Sequence, residues 1–325
     1  MQRRTFIGTT IGIAGLGVLG SNTAMGNSNG LVNAVETGDG GIVATDDDFV
    51  ISGQEITVDS GSPPYVIHND GYSGEVTDNH IEIEAVPESP TFGIRVDGGD
   101  VDVTANTVDG DDALAHQFLS IGYADGATGA VESNTLNGGH RVAILATGGD
   151  TDVDISDNEI TGLGPKSDGW AENGIQIGGG ATARIRGNTV ADHWWDLDDF
   201  QSSGIILYQP GDSVNIQRNS VTDNDAGIAL WGGNRHNVLH NTIEVTEEDP
   251  GDDDAFHAGV FALETTNSGV RQNTITAVDG DMGIVLYPSA ENTKLIRNAI
   301  SGWAEPIVDK GEETKLPKPF DPNTS

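Results

Sequence analysis

The sequence has no cysteine. That excludes disulfide bridges, thiolate metal centres, cysteine nucleophiles and a lipid-anchored N-terminal cysteine. Methionine is nearly as scarce, at three residues, so soft copper ligands are few. Basic side chains are also rare: 15 Lys and Arg face 51 Asp and Glu, a formal net charge of −36. A surface of that sign repels phosphate backbones and argues against nucleic acid as a partner. Beyond Gly20 no apolar run is long enough to span a bilayer. The chain is nevertheless no disordered acidic polymer, because 36% of it is hydrophobic and the apolar residues recur regularly.

The N-terminus reads Met1-Gln2-Arg3-Arg4-Thr5-Phe6-Ile7-Gly8, then a Gly-rich apolar run to about Gly20. Paired arginines ahead of a modest apolar stretch resemble a twin-arginine export signal, which implies export of the folded protein. Ala24-x-Gly26 offers small residues for cleavage, giving a signal over 1–26 and an extracellular or envelope-associated product. The excess of acid over lysine resembles the proteins of salt-in halophilic archaea, where dense salt screens self-repulsion. The plainer alternative is an ordinary acidic secreted protein, with calcium as the one cofactor worth considering.

One motif dominates the rest: Asn, any residue, then an aliphatic. It occurs at Asn79, Asn106, Asn134, Asn158, Asn188, Asn219, Asn241, Asn273 and Asn298, at intervals of 27, 28, 24, 30, 31, 22, 32 and 25. Short alternating strands such as Val153-Asp154-Ile155 precede it. About fifteen residues upstream lies a second strand: Gly174-Ile175-Gln176-Ile177, Gly204-Ile205-Ile206-Leu207, Gly227-Ile228-Ala229-Leu230, Gly283-Ile284-Val285-Leu286. Two or three strands per repeat, with Gly or Asn at the bends, predict a coil. One rung cannot bury its apolar face, but stacked rungs bury a continuous core. Asn suits a left-handed bend, and its amide can bond the rungs above and below. Rungs about 4.8 Å apart make nine of them a rod of roughly 40 Å.

On these residues the chain resembles the pectate-lyase-like superfamily of right-handed parallel β-helix repeat proteins. The resemblance implies an all-β solenoid of nine or more rungs over 76–308, after an N-terminal linker and cap over 27–75 that contains Pro63-Pro64. A flexible tail over 309–325 follows. It also implies carbohydrate as the substrate class. Polygalacturonase-like enzymes carry Asn-Thr-Asp, Asp-Asp and Gly-His-Gly on successive rungs. Here Asp198-Asp199 has no Gly-His-Gly after it, and Asn188-Thr189 is followed by Val190. The Asp-Pro-His of mannuronan epimerases is absent.

Loops leaving one edge of a coil cluster in space, and function concentrates in loops. The segment Asp192 to Ser203 is the leading candidate, since it gathers His193, Trp194, Trp195, Asp196, Asp198 and Asp199. Indole faces stack on sugars; carboxylates serve as acid, base or calcium ligands. A hydrolase would pair Asp198 or Asp199 with Asp168 or Asp225 across the bond. A lyase or epimerase would need a base near the sugar C5 and a cation near the uronate, with His193 or Tyr208 as base and Arg141 or calcium as neutraliser. The competing expectation is that the acidic loops merely bind water and salt, with the two indoles folding the loop over the coil. Alternation also points Ile206, Tyr208, Ala229, Trp231, Phe261, Leu263, Val285 and Tyr287 outward. Tyr208, Trp231 and Tyr287 can be stacking platforms, or this apolar stripe can be covered by loops or by a second subunit in an oligomer. His68, His80, His236 and His240 read as bend or surface residues. The expected function is therefore binding, with cleavage or epimerisation, of a polysaccharide; the rival is a non-catalytic surface module, calcium-stabilised in one version.

Overall fold

The computed structural model describes residues 12–13, 32–33, 35–37, 41–58, 64–84, 91–110, 118–166, 171–196, 201–246 and 257–316. Each rung holds three short strands. In one they are Asn173–Gly178, Thr182–Arg186 and Thr189–Trp195; in the next, Ser203–Tyr208, Asn215–Gln217 and Ser220–Asn224. Successive rungs pair in parallel, so the three strand positions build three walls of a right-handed β-helix of about nine turns. The second wall is an 11-stranded sheet. The first and third merge into one 21-stranded sheet, because Thr274–Leu286 and Ala299–Asp309 each run through the corner between them.

Alternation fixes what faces inward. On the first wall Ile144, Ile175, Ile205, Ile228, Val260 and Ile284 stack in register. The second wall adds Ile155, Ile185, Ile216 and Val238; the third adds Ile160, Val190, Val221 and Ile243. All are buried in one continuous core. Each such side chain contributes about 1.5–3 kcal/mol when fully withdrawn from water, and no single rung could achieve that alone. The glycine ahead of the first-wall isoleucine is sterically required: a Cβ on Gly174 would overlap the Gly204 carbonyl oxygen and the Val190 side chain.

The repeated asparagines form a buried ladder, but they are not the left-handed residues. That conformation belongs to the residue before each of them: Asp78, Ala105, Ser133, Asp157, Gly187, Arg218, His240, Gln272 and Arg297, all with positive φ. The preceding residue turns the corner, which leaves the Asn side chain aimed along the rod. Asn134 Nδ2 donates to Asn158 Oδ1 at 2.9 Å and to the Val103 carbonyl at 2.9 Å, and its backbone N–H reaches the same Asn158 oxygen at 3.0 Å. Equivalent bonds join Asn158 to Asn188 and Asn188 to Asn219. Buried amides are thus satisfied along the whole row.

Parallel pairing reaches further towards the N-terminus than the Asn motif. Ile42–Ala44, Phe49–Ser52 and Glu55–Val58 pair in parallel with Tyr65–Asp70, Gly74–Thr77 and His80–Ile83. Val32–Asn33 and Val35–Thr37 add antiparallel contacts at that end. At the other end the chain continues the second wall past Asp309: Glu312 and Lys315 bridge to Glu291 and Lys294. Among the described residues no helix is long and apolar enough to cross a membrane.

Candidate functional site

A cluster of polar side chains lies at the N-terminal end of the first wall, on its outer side. Strand Tyr65–Asp70 pairs with Thr91–Asp97 so that Tyr65 lies beside Phe92, His68 beside Arg95 and Asp70 beside Asp97. Ile67, Ile94 and Val96 point into the core and Asn69 is buried beside Val96, which leaves His68, Asp70, Arg95 and Asp97 on the outer side. Asp97 Oδ2 accepts hydrogen bonds from Arg95 Nε at 2.6 Å and from His68 Nε2 at 3.0 Å. Asp97 Oδ1 is buried and has no hydrogen-bond partner among the described residues. The Tyr65 ring packs on the His68 imidazole with centroids 4.3 Å apart, and the Arg95 guanidinium lies 5.1 Å over the Phe92 ring. Burial pushes the Asp97 carboxyl up, but the hydrogen bonds from His68 and Arg95 outweigh it and hold the group below the usual carboxylate range. Facing the Asp97 carboxylate, the His68 ring donates through Nε2–H. A guanidinium, an imidazole and a phenol therefore meet on two adjoining rungs.

The Asp192–Ser203 segment is built differently. His193 is fully buried, and Trp194 and Trp195 are 4% and 3% exposed. The His193 Nδ1–H donates to Asn224 Oδ1 at 2.9 Å, and its Nε2 lies 3.2 Å from Nε2 of the equally buried His140. Burial lowers both imidazoles, His140 to about 3, with His193 as the second cause, and His193 to about 4. Asp225 Oδ2 accepts the backbone N–H of Trp195 at 2.9 Å and of Ser202 at 2.8 Å. Asp225 thereby clamps both ends of the loop, and its carboxylate is buried. Trp194 meets His257 edge-on at 5.0 Å. Trp194 belongs to the core cluster, and Trp195 is buried outside it. Asp196 is half-buried, and Arg141 is exposed on the strand side of an earlier corner. Asp168, Asp198 and Asp199 lie outside the described residues.

The outward stripe is present. Along the first wall one column reads His68, Arg95, Gly122, Leu145, Gln176, Ile206, Ala229, Phe261, Val285. From Ala226 to Val285 these side chains form a second apolar cluster, separate from the core, with Ile206, Leu263 and Tyr287 packed against it. Tyr208 is 42% exposed and meets Trp231 edge-on at 5.1 Å; Phe261 and Tyr287 do the same at 6.2 Å.

No group of three or more His, Asp or Glu side chains converges on a metal-sized site among the described residues. On the second wall Asp100, Asp102, Asp152 and Asp154 border a shallow depression of about 320 Å³, with Arg184 bonded to Asp154 at 2.9 Å. His80 is a surface residue between Glu55 and Asp109, and His240 is a left-handed bend. His236 departs from its surface expectation: it is fully buried, with Nε2 on the Gly232 carbonyl at 3.1 Å. His68 departs too. The signal that finds it is the alignment of Tyr65-Val66-Ile67-His68-Asn69-Asp70 with Phe92-Gly93-Ile94-Arg95-Val96-Asp97, which Pro63-Pro64 obscures.

Residues 93–303 match the family described as right handed beta helix region. No curated protein matches the sequence. Among solved structures, a double mutant of a periplasmic alginate epimerase is similar at TM-score 0.52 and 12% identity, over 86% of this chain and 79% of that one. The Dettilon tailspike protein is similar at TM-score 0.52 and 16% identity, over 82% of this chain and 61% of that one. The A-module of a mannuronan C-5 epimerase from Azotobacter vinelandii gives TM-score 0.44 at 14% identity, over 85% and 80%. At such identities the likeness is one of fold.

Proposed function

Because the chain belongs to the right handed beta helix family, its working side chains stand in fixed columns on a rigid rod, and we propose that it modifies a uronate-containing polysaccharide by abstracting the proton at C5. The observation that carries this is the convergence of His68 and Arg95 on Asp97, with Tyr65 packed against the imidazole. The alginate epimerase with a similar fold supports the substrate class by analogy alone. Arg95 would neutralise the substrate carboxylate, which makes C5–H more acidic. His68 Nδ1 would take the proton as the C5–H bond breaks and its electron pair passes into the carboxylate. Asp97 would hold His68 in the required tautomer. Elimination then expels the glycosidic oxygen at C4, protonated by the Tyr65 hydroxyl; epimerisation instead returns a proton to the opposite face of C5.

The test uses the folded protein in high salt made up in D2O, with and without calcium, against a panel of uronate polysaccharides. Deuterium at C5 is expected, accompanied by the ultraviolet absorbance of unsaturated uronates if elimination follows. His68→Asn should lower exchange by about 100-fold or more, the usual weight of a general base. Neither exchange nor absorbance from folded protein sinks the proposal; new reducing ends alone would replace it with hydrolysis by the acidic loop. The apolar cluster from Ala226 to Val285 favours a second reading, a rod-shaped binding module that self-associates through this stripe. Sedimentation showing a dimer without any turnover would select it.

A further inference from the structure

Every rung approaches its ladder asparagine along the second wall in the same way. An outward residue stands four places before the asparagine, another two places before it, and the left-handed residue immediately before it. Over the nine rungs these positions are sorted by charge. The rungs of Asn79, Asn106, Asn134 and Asn158 carry Glu75, Asp78, Asp102, Glu132, Asp154 and Asp157 there, and no cation. The rungs of Asn188, Asn219, Asn241, Asn273 and Asn298 carry Arg184, Arg186, Arg218, Arg271, Lys294 and Arg297, and no acid. The two halves match six against six, in a chain whose acids outnumber its bases 51 to 15. All twelve side chains are exposed or half-buried, so burial does not account for the sorting.

The cations of this wall are barely engaged within the chain. Arg184 bonds Asp154 across the boundary between the halves, at 2.9 Å. The other five make no ion pair among the described residues. Arg271 lies flat across Gly269, where a Cβ would meet its Nε at 2.6 Å, and that Nε is buried without a hydrogen-bond partner. The corner ahead of the wall holds Asp100, Asp152, Asp212, Arg235 and Glu291, and frames the face as a mixed rim. Charges on such a rim stay in water and contribute little.

We propose that the second wall is the interface of an antiparallel dimer, in which each copy's basic half lies on the other's acidic half. A two-fold axis across the rod, between the rungs of Asn158 and Asn188, achieves this with the same patch on both copies. Arg184 and Arg186 then face the rung of Asp154 and Asp157, and Arg218 faces the rung of Glu132. Arg271 stands opposite Thr77, within reach of Glu75 and Asp78 on either side of it. The rung of Asn298 faces the neutral Val50 and Ser52. No like charges meet on the face, and around the axis Arg184 and Asp154 of the two copies alternate in a ring of four. The partner is a second copy because the acidic half matches the basic half in number and in reverse order. Nine rungs and a five-residue strand give a face of roughly 40 by 16 Å, about 650 Å² from each copy, which is enough for a specific contact. A net charge of −36 repels two copies at a distance, but about 0.5 M salt screens that beyond about 4 Å and leaves charges in contact. None of these residues belongs to the Tyr65–Arg95 cluster, so the dimer stands without the proton-abstraction reading.

The experiment is sedimentation equilibrium of the full chain in about 0.5 M sodium chloride, where a dimer is expected. Arg271→Glu should weaken it by about tenfold or more, and so should Glu75→Arg, since the two-fold axis sets like charges together twice in each variant. Arg271→Glu combined with Glu75→Arg should associate about tenfold more tightly than either single variant, a recovery that misfolding cannot imitate. Glu244→Gln, on the third wall, should leave the dimer unchanged. A wild type that stays monomeric at about 100 μM overturns the proposal. So does a double variant no tighter than the single ones, because Arg271 would then serve some other anion. A dimer indifferent to all three changes and broken by Tyr208→Glu also overturns it, since the contact would belong to the first wall. Absence of C5 exchange in the same dimeric samples sinks the proton-abstraction reading and leaves the dimer in place.

Discussion

Ala105 holds a φ of 55°, a left-handed conformation that costs an L-residue roughly 1–2 kcal/mol. It is tolerated because Asn106 follows and must aim its amide along the rod. Ala105→Gly should therefore raise stability by about 0.5–1 kcal/mol, the strain relieved less the entropy glycine loses on folding, measured by urea unfolding. The ladder responds in the opposite sense. Asn188→Ala removes the acceptor for the backbone and side-chain N–H groups of Asn158. Orphaning two buried donors should cost about 2–4 kcal/mol, and a loss below 1 kcal/mol would mean water replaces the amide. The asparagines themselves were plain in the sequence, since an amide in register on nine rungs has few other uses. The turning residue was not legible, because Asp, Ala, Ser, Gly, Arg, His and Gln all occupy it. Backbone geometry selects that position, and no side-chain type marks it.

At the scale of an element, the corner formed by Thr189–Trp195 decides how the most eye-catching segment is used. His193 and His140 are neutral in the fold, lowered to about 4 and about 3 from 6.5. Above pH 6.5 neither the folded nor the unfolded chain protonates them. As pH falls from 6.5 towards 4, the unfolded chain takes up two protons that the fold refuses, so stability drops across that window, on the order of several kcal/mol. Urea unfolding at pH 7 and pH 5 should show the drop, and His140→Gln with His193→Gln should flatten it. A wild type with no change between the two pH values would refute the buried pair. Composition drew attention to His193, Trp194 and Trp195 as chemistry. Their burial depends on Asn224 and Asp225 one rung on, and on His140 two rungs back. Partners 31, 30 and 53 residues away cannot be read from one loop. The Tyr65–Arg95 cluster escapes sequence reasoning for the same reason, since its members meet only through strand register.

Across the whole molecule, acidic side chains outnumber basic ones by 51 to 15. A net charge of −36 strains the coil by self-repulsion, which salt screens within about 3 Å at 1 M. The thermal midpoint should climb steadily from dilute buffer to molar sodium chloride; a flat response would show that the carboxylates are already compensated. The coil and its aliphatic columns were legible because each rung restates them, while the sequence left the rung at two or three strands.

The asparagine ladder has one further consequence. From Asn79 to Asn298, every side-chain N–H that crosses between ladder amides runs towards the later rung, and every oxygen receives from the earlier one. The row therefore has a grammatical direction, like a sentence in which each clause ends on an open conjunction. A chain emerging from the ribosome N-terminus first presents, at each completed corner, a donor whose acceptor is the next segment to be synthesised. Assembly in the order of synthesis never has to undo a bond already made.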